Sequence, residues 1–430
     1  MTAVMGEATP AWSNANFRRL WRGSAAATLG AEIGEIALPL LALITLSATA
    51  AEVSILRIAQ FLPFLLATLP VGLLVDRLRH ARLRLMIGAD VGRATLLTLA
   101  AVAALAGFAT MPALYAAVFA VAVCTVVFQV ADFAVLPSVV APHQLVDANG
   151  KLSATHSGSE IAGRGLGGVL VQLLSAPVAV LLNALGYVVS ALSLSRIRLD
   201  PVANAAQEHD PAVPERGPGW REAIQGVGIT LRHRYIRPLL GEATTFNVAN
   251  EAFLLGLLLY AVRDLHLSPA AIGAVFTAGG VGSFLGAWFG SRVTARFGYG
   301  RVLLVSLIVG NGAPLAVLAA PYASGGVLAL LAAAFLLMGT GIGVANVHAV
   351  SLRQSAVPEE QRGRVNAAYR LISWGAIPIG AALGGLVATQ AGPFPAMAIG
   401  AAGVCLATIW VAWSGVPRLR TIHDAVDDVR

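Results

Sequence analysis

The chain has 430 residues, of which 57% are hydrophobic and only 12% are charged, and its mean hydropathy is +0.75. Soluble domains carry about 25% charged residues, so the composition excludes a soluble globular protein and predicts an all-α protein that crosses a membrane many times. The net charge of +7 does not indicate a nucleic-acid binder, because the arginines fall in short loops between apolar runs, as a membrane topology requires. Cys124 and Cys405 both lie inside apolar runs and are expected to be packing residues.

Twelve apolar runs are each close to the roughly 20 residues that a helix needs to cross a bilayer. We number them as predicted spans 1 to 12, and they cover residues 20–46, 53–76, 84–107, 112–137, 154–174, 177–196, 238–261, 269–293, 300–320, 325–349, 366–388 and 393–414.

Arginine is distributed unequally between the two sides that these spans define. With the N-terminus inside, the arginine clusters fall in cytoplasmic segments, and the outer loops contain only Arg57 and Arg263. Cytoplasmic loops of membrane proteins carry an excess of Lys and Arg, so both termini are expected to be cytoplasmic. The scarcity of Lys beside abundant Ala and Gly suggests a bacterial protein, and hence its inner membrane.

One long non-apolar stretch divides the spans into two groups of six. Residues 199–219 are rich in proline and polar residues and are expected to form a flexible linker, and residues 220–237 are expected to form an amphipathic surface helix. The predicted organisation is an N-terminal six-helix bundle (1–198), a cytoplasmic linker (199–237), a C-terminal six-helix bundle (238–416) and a cytoplasmic tail (417–430).

The two halves repeat one another. Asn149 and Asn366 are 217 residues apart, and the same offset relates the glycines of span 5 to those of span 11. These glycines are Gly163, Gly167 and Gly168, and Gly380, Gly384 and Gly385. Repeats of this kind build transporters that rock about a central site at the repeat interface.

The loop between spans 2 and 3 is dense in charge and contains Gly72, Asp76, Arg77, Arg79 and Arg82. Gly72 is expected to let a neighbouring helix approach closely. Asp76 lies where a helix ends and can reach the positive N-terminus of another helix. The arginines would anchor the loop at lipid headgroups or pair with carboxylates. An ordinary positively charged cytoplasmic loop is the alternative.

The spacing of this loop resembles the signature G-x-x-x-D-R-x-x-x-x-R of the major facilitator superfamily. Ile36-Ala-Leu-Pro-Leu-Leu in span 1, Ala89-Asp90-x-x-Arg93-Ala in span 3 and Leu182-Asn-Ala-Leu-Gly-Tyr in span 6 are similar to its drug:proton antiporter branch. That branch includes macrolide efflux proteins and the enterobactin exporter. The resemblance implies two pseudo-symmetric six-helix bundles, no cofactor and a monomer.

The resemblance also assigns gating roles. It implies that Asp132 pairs with Arg79 or Arg82, and that Asp76 meets the start of span 11. Asp90 and Arg93 are three residues apart in span 3 and are expected to form a mainly structural pair. Antiporters of the superfamily carry G-P-x-x-G-G in span 5, whereas here Arg164 replaces the proline between Gly163 and the pair Gly167 and Gly168.

Charges inside the membrane are costly and mark functional sites. Glu32 and Glu35 lie three apart on one face of span 1, and two carboxylates close together in a dry cavity favour uptake of a proton. With Glu160 they are the candidate proton carriers. The alternative is that each carboxylate is held by an arginine in a static pair, as Glu160 and Arg164 would be at their four-residue spacing.

A second group of polar residues is expected to line the substrate cavity. Its members lie in the middle of predicted spans, and they are Gln60, Gln129, Arg164, Asn247, Asn250 and Glu251.

The sequence contains no G-x-x-x-x-G-K-[ST] phosphate loop and no H-E-x-x-H pattern, so we expect neither an enzyme nor an ATP-driven pump, and no metal site. The expected function is the export of amphipathic organic compounds in exchange for protons by rocking of the two bundles. The alternatives are an exporter of an endogenous metabolite or siderophore, an uncoupled facilitator or lipid flippase, and a non-transporting receptor. The expected partners are the small-molecule substrate, protons and the bilayer.

Overall fold

The structure is a computed structural model that describes residues 10–78, 81–198, 220–323, 325–422 and residue 424. In these ranges the chain is helical and has no β-strand. The first bundle contains α1 (Ala15–Leu40, continued by a π-helical turn at Leu41–Thr45), α2 (Ala50–Arg77), α3 (Arg82–Leu105), α4 (Met111–Val139), α5 (Leu145–Leu173) and α6 (Ala176–Leu194).

A short helix, α7 (Trp220–Arg232), precedes the second bundle. That bundle contains α8 (Ile236–Arg263), α9 (Pro269–Phe297), α10 (Tyr299–Gly312, continued as a 3₁₀ helix at Ala313–Tyr322), α11 (Val327–Ser355), the paired segments α12 (Glu359–Gly375) and α13 (Ile377–Ala391), α14 (Pro393–Ala407) and α15 (Ile409–Ala412). The segments α12 and α13 together form one crossing, which corresponds to predicted span 11.

Local side chains fix where several helices begin. Thr49 caps α2 reciprocally with Glu52, since Thr49 Oγ1 accepts from the Glu52 amide at 3.2 Å and Glu52 Oε2 accepts from the Thr49 amide at 2.7 Å. Ser268 caps α9, which then starts with Pro269. Such caps satisfy amide groups that the helix itself leaves without partners.

Eleven helices of the described residues are long and apolar enough to cross a membrane. The remaining long helix of the first bundle is α5, whose length of 29 residues is sufficient but whose polar residues lower its hydropathy. It begins at Leu145, nine residues before predicted span 5, because the polar segment ahead of the apolar run is also helical. The fold is therefore an all-α polytopic membrane protein with twelve crossings in two six-helix bundles.

The glycines that repeat at 217 residues make equivalent contacts in the two bundles. A Cβ built on Gly167 would lie 3.0 Å from Ile33 O of α1, and one on Gly384 would lie 2.6 Å from the Cα of Ala252 of α8. The next glycine in each motif faces the opposite bundle. A Cβ on Gly168 would lie 2.3 Å from Pro269 O of α9.

In the other half, a Cβ on Gly385 would lie 2.2 Å from the Ser54 Cβ of α2. Spans 5 and 11 thus use one glycine to pack inside their own bundle and the next to pack across the interface. This is the small-residue contact typical of membrane helices.

The bundles touch at one end and separate at the other. We call the end at which α1 starts the terminal face, and the end that holds Ala48 and Arg263 the closed face. On the closed face Arg263 Nη2 donates to Ala48 O at 2.6 Å, and Ser54 Oγ donates to Ala381 O at 2.7 Å.

The helix α5 shows how the interface opens towards the terminal face. A Cβ on Gly165 would lie 2.3 Å from Thr277 Oγ1 of α9, but a Cβ on Gly158, two turns nearer the terminal face, would meet nothing within 4 Å. The cleft between the bundles therefore opens on the terminal face.

Candidate functional site

Arg57 lies at the centre of a hydrogen-bonded cluster that joins the two bundles. Its Nε and Nη2 donate to the two carboxylate oxygens of Glu251 at 3.2 and 3.0 Å, which is a bidentate pair. Its Nη1 donates to Glu35 Oε2 at 3.1 Å and to Gln60 Oε1 at 3.0 Å, and Gln60 Nε2 donates to Glu35 Oε1 at 2.5 Å. We call Glu35, Arg57, Gln60 and Glu251 the Arg57 cluster. Since Glu251 lies on α8 and the other three lie on α1 and α2, the cluster bridges the interface.

Exposure differs sharply within the Arg57 cluster. The side chains of Arg57 and Glu251 are 15% and 8% exposed, whereas that of Glu35 is 34% exposed and lines a cavity of the first bundle. With both carboxylates ionised the cluster has a net charge of −1, and one added proton makes it neutral. Glu35 is therefore the carboxylate of the cluster that reaches a cavity, whereas Glu251 is enclosed.

Arg164 on α5 holds a second cluster of one arginine and two glutamates, Glu32 and Glu160, which we call the Arg164 cluster. Its Nε donates to Glu32 Oε2 at 3.0 Å and its Nη2 donates to Glu160 Oε1 at 3.2 Å. The predicted pair Glu160–Arg164 is therefore present, with Glu32 as an additional partner. Gly163 permits this contact, because a Cβ there would lie 2.5 Å from the Glu32 Cβ.

Glu32 and Glu35 each have an arginine as a hydrogen-bond partner, which is the alternative that their spacing left open. Glu32 contacts Arg164 on α5, and Glu35 contacts Arg57 on α2. Each of the two carboxylates therefore has its own cation from another helix, which lowers the cost of burying it.

Asp90 and Arg93 form a buried pair on α3, with side chains 0% and 5% exposed. The Arg93 guanidinium lies 4.5 Å from the Phe128 ring centroid and 4.1 Å from that of Tyr187, so cation–π contacts also hold it. This arrangement is a structural lock between α3, α4 and α6. Asp132 lines the adjacent cavity, near Asp90 and Arg93.

The loop motif gives a mixed outcome. The expected close contact at Gly72 is wrong for this conformation, because a Cβ there meets nothing within 4 Å; the bundles are apart on that face. Arg77 is exposed in the last turn of α2, and Arg82 begins α3. The side chain of Asp76 and all of Arg79 lie outside the described residues, so their predicted contacts do too.

Two of the cavities of the described residues contain predicted site residues. The cavity of the first bundle has a volume of about 360 Å³, and that of the second bundle has a volume of about 910 Å³. Charged and polar residues lining the first are Glu32, Glu35, Gln60, Arg93, Gln129, Asp132, His156 and Asn183. The second is lined by Glu242, Asn247, Asn311, Asn346, Arg353, Gln354, Arg362, Asn366, Arg370 and Ser373, with several aromatic rings.

The polar residues of α8 have separate surroundings. Asn247 lines the larger cavity and donates from Nδ2 to Ser373 O at 2.7 Å. Asn250 has a buried Oδ1 without a hydrogen-bond partner. Glu242 accepts from Asn311 Nδ2 at 3.1 Å.

Sequence reasoning missed Arg57 by counting it with the outer loops. The signal that would have found it is its position inside predicted span 2, three residues before Gln60 and therefore on the same helical face. It also missed Arg370 and Trp374 of span 11, which are four apart and both line the larger cavity. Among the described residues, no group of three or more His, Cys, Asp or Glu side chains is arranged to hold a metal ion.

Comparison with known sequences gives one family and two relatives. The family model described as transmembrane secretion effector, of the major facilitator superfamily (MFS), matches residues 8–427. The multidrug efflux pump Tap of Mycolicibacterium fortuitum is 26% identical over 354 residues, which are 80% of this chain and 82% of that protein. The MFS-type transporter y4rN of Sinorhizobium fredii is 24% identical over 258 residues, or 59% of this chain and 60% of that one.

Solved transporters share the fold at low identity. The nucleoside transporter NupG has a TM-score of 0.69 at 12% identity, covering 93% of this chain and 98% of its own. A bacterial homologue of the iron transporter ferroportin has a TM-score of 0.66 in its inward-facing state (18% identity, 92% and 98% covered) and 0.56 in its outward-facing state (19% identity, 92% and 98% covered). With a family model that matches nearly its whole length, the chain belongs to the transmembrane secretion effector family of major facilitator transporters.

Proposed function

We propose that this protein is a secondary active exporter that moves amphipathic organic compounds, of drug or macrolide type, out of the cell in exchange for protons. It would act as a monomer in the bacterial inner membrane with both termini in the cytoplasm. The relative Tap, named a multidrug efflux pump, supports the substrate class and direction. The concentration of arginine on the terminal face supports the orientation.

The observation that carries the proposal is the Arg57 cluster. It contains an ion pair between the bundles, Arg57–Glu251, next to a carboxylate, Glu35, that reaches a cavity. A rocking transporter needs an interaction that forms in one conformation and breaks in the other, and a coupling ion must favour one of the two. The Arg57 cluster supports the proposal because its ion pair joins the two bundles and its Glu35 reaches a cavity.

The cycle would start from the conformation described here, with the cleft open to the cytoplasm. The better fit to the inward-facing than to the outward-facing ferroportin homologue supports this assignment. Substrate enters from the cytoplasm and binds between the bundles. Arg57 is then paired with both Glu35 and Glu251, and the closed face excludes the periplasm.

Opening of the closed face would separate Arg57 from Glu251, because the two residues belong to different bundles. Glu251 would then lack a cation in a low-dielectric region, and a proton from the periplasm would take the place of Arg57. Arg57 would remain with Glu35 and Gln60 on its own bundle. Return of Arg57 to Glu251 would displace the proton to the cytoplasm through Glu35 and its cavity.

The Arg164 cluster would act in parallel inside the first bundle. Glu160 has the most exposed side chain of the three, at 40%. Protonation of Glu160 or Glu32 would change the charge that a substrate meets. We assign Glu32, Glu35 and Glu160 to proton coupling, with Glu251 as their partner across the interface. Arg164, Asn247, Asn250, Gln60 and Gln129 remain candidate substrate residues.

Transport by purified protein in proteoliposomes tests the proposal. An imposed proton gradient is expected to drive ethidium against its concentration gradient, and a protonophore should abolish this. Glu35→Gln and Glu251→Gln should bind ethidium but fail to accumulate it. Asp264→Asn, a change at an exposed position on the closed face, is the control and should transport normally.

Two results would contradict the proposal. Ethidium movement that is indifferent to the proton gradient would make the protein an uncoupled facilitator. Gradient-driven uptake that persists in both variants would remove the Arg57 cluster from coupling. If the proteoliposomes transport only one class of microbial metabolite among the compounds tried, the protein would instead be an exporter of an endogenous product.

A further inference from the structure

The larger cavity, in the second bundle, contains more positive than negative charge. Its described lining includes the guanidinium groups of Arg353, Arg362 and Arg370 and one carboxylate, that of Glu242. Glu242 is hydrogen-bonded to Asn311 rather than paired with any of these arginines. The cavity of the first bundle has the opposite character, with Glu32, Glu35 and Asp132 beside Arg93.

Arg370 lies on the lining of the larger cavity. It lies eleven residues into α12, which is about 16 Å from the start of that helix. Its side chain is exposed to the cleft, and its contact among the described residues is with the Trp374 ring, whose centroid lies 4.5 Å from Cζ. An arginine that lines a cavity and has no carboxylate beside it in the described part of the chain leaves its charge available to a ligand.

Arg353 extends the same surface. Its Cζ lies 3.7 Å from the centroid of the Tyr369 ring, and its buried Nε has no hydrogen-bond partner. Tyr369 is itself fixed, because its hydroxyl donates to Leu239 O at 3.0 Å. Two guanidinium groups of this cavity thus lie against aromatic rings, Arg353 on Tyr369 and Arg370 on Trp374. A guanidinium group can bind a carboxylate or sulfonate in a bidentate way.

We propose that the cavity of the second bundle is the binding site for an aromatic organic anion. Arg370 and Arg353 would bind its carboxylate or sulfonate group, and the rings of Trp374 and Phe246 would contact its apolar part. The volume of about 910 Å³ is at the upper end of the range for drug-sized ligands. The inference rests on the proposed transport function and adds a preference to it: among amphipathic aromatic compounds, anions should bind most tightly in this cavity.

Binding to the wild-type protein in nanodiscs of phosphatidylcholine tests the inference without any proton gradient. The probes are carboxyfluorescein, an aromatic anion, and rhodamine 6G, an aromatic cation built on the same ring system. Fluorescence anisotropy is expected to show tighter binding of carboxyfluorescein. Arg370→Gln should weaken that binding by about tenfold or more, the factor that corresponds to about 1.4 kcal/mol, and leave rhodamine 6G binding unchanged.

The matched control is Arg292→Gln. Arg292 also lies over an aromatic ring, that of Phe289 at 5.5 Å, but it is not among the residues that line the cavity. The Arg292→Gln variant should bind both dyes with the affinity of the wild type. Arg370→Lys keeps the charge and loses the planar fork, so it should give an intermediate affinity and serves if Arg370→Gln fails to fold.

Three outcomes would overturn the inference. The wild type could bind rhodamine 6G more tightly than carboxyfluorescein, Arg370→Gln could lose affinity for both dyes equally, or Arg292→Gln could lose as much affinity for carboxyfluorescein as Arg370→Gln does. A lipid headgroup has similar anionic chemistry. If phosphatidylglycerol in the nanodisc displaces carboxyfluorescein in an Arg370-dependent manner, the site belongs to lipid and the inference is wrong. Failure of proton coupling in proteoliposomes would leave these binding results unaffected.

Discussion

Arg57 has carboxylate partners on two helices that belong to different bundles, at 3.0 to 3.2 Å. Breaking a buried ion pair by removing one partner is strongly destabilising, because the other charge is left unpaired. Glu251 is the partner most affected, since its side chain is only 8% exposed. Arg57 therefore contributes strongly to the stability of the closed face.

Arg57→Gln should destabilise the protein by about 3–5 kcal/mol, the range measured when one partner of a buried pair is removed. The double variant Arg57→Gln with Glu251→Gln should recover part of this loss, because it leaves no unpaired charge at the interface. Thermal unfolding in detergent measures the effect. Additive losses in the double variant would show that the two side chains are not coupled.

The separate carboxylates on α1 show what sequence spacing can predict at the residue scale. The three-residue interval correctly placed Glu32 and Glu35 on helix α1 inside the membrane. It did not reveal that each has its own arginine, because Arg57 and Arg164 reach them from α2 and α5. Arg57 and Glu251 are 194 positions apart in the sequence. Their contact depends on how the two bundles pack, so no local sequence pattern predicts it.

Helix junctions and helix contacts determine how the bundles can move. His233 lies between α7 and α8, where Nδ1 accepts from the amides of Tyr235 and Ile236 at 3.2 and 3.4 Å. Its Nε2 is 3.1 Å from Ala356 O, and since a carbonyl only accepts, Nε2 carries the hydrogen. The neutral ring thus caps the start of α8 and ties the junction to the end of α11.

The junction between α7 and α8 should become less stable at acidic pH. Burial lowers the pKa of His233 below its usual value, although the hydrogen bond to Ala356 O acts in the opposite direction. The neutral form is therefore favoured in the folded protein, and its contribution to stability is complete above about pH 6.5 and is lost as the pH falls below that value.

His233→Asn, which cannot titrate, is the comparison for this prediction. The thermal midpoint of the wild type should fall more steeply between neutral and mildly acidic pH than that of His233→Asn. Parallel curves for the two proteins would mean that the ring does not titrate in this range or that its protonation leaves the cap intact.

The glycines of α5 provide a matched pair of tests for the closed face. In Gly168→Ala the new methyl group would lie 2.3 Å from Pro269 O of α9, so the backbones must separate. In Gly158→Ala the same group meets nothing within 4 Å. We expect Gly168→Ala to favour opening of the closed face and Gly158→Ala to be neutral.

Disulfide formation between cysteines placed at Gln172 and Ala270 measures this opening, since Gln172 Oε1 accepts from the Ala270 amide at 3.1 Å across the interface. Cross-linking should be slower in Gly168→Ala and unchanged in Gly158→Ala. Equal rates in both would show that the helices accommodate the methyl group without separating.

At the scale of the whole molecule, hydropathy and repetition predicted the architecture. The run lengths gave the spans, and the 217-residue offset of the glycines anticipated equivalent packing of spans 5 and 11, because glycine contacts are local to each helix pair. The open terminal face was not predictable, since the same residues must pack in more than one conformation. That is why Gly72, expected in a close contact, meets open space.

The central claim is that the two bundles exchange access by making and breaking the Arg57–Glu251 pair, and that a proton replaces Arg57 when the pair breaks. Distances between spin labels at both faces test it directly. We would place one label pair at Leu174 and Asp264 on the closed face, and another at Val146 and Val293 near the terminal face, all four being exposed positions. Cys124 and Cys405 would be replaced by serine.

Double electron–electron resonance spectroscopy on the spin-labelled protein in nanodiscs should show a short distance between the closed-face labels at mildly alkaline pH. Acidification should lengthen it and shorten the terminal-face distance, and Glu251→Gln should show the long closed-face distance at both pH values. Closed-face distances that do not change with pH in the wild type, or a Glu251→Gln variant that stays closed and still responds to acid, would contradict the account.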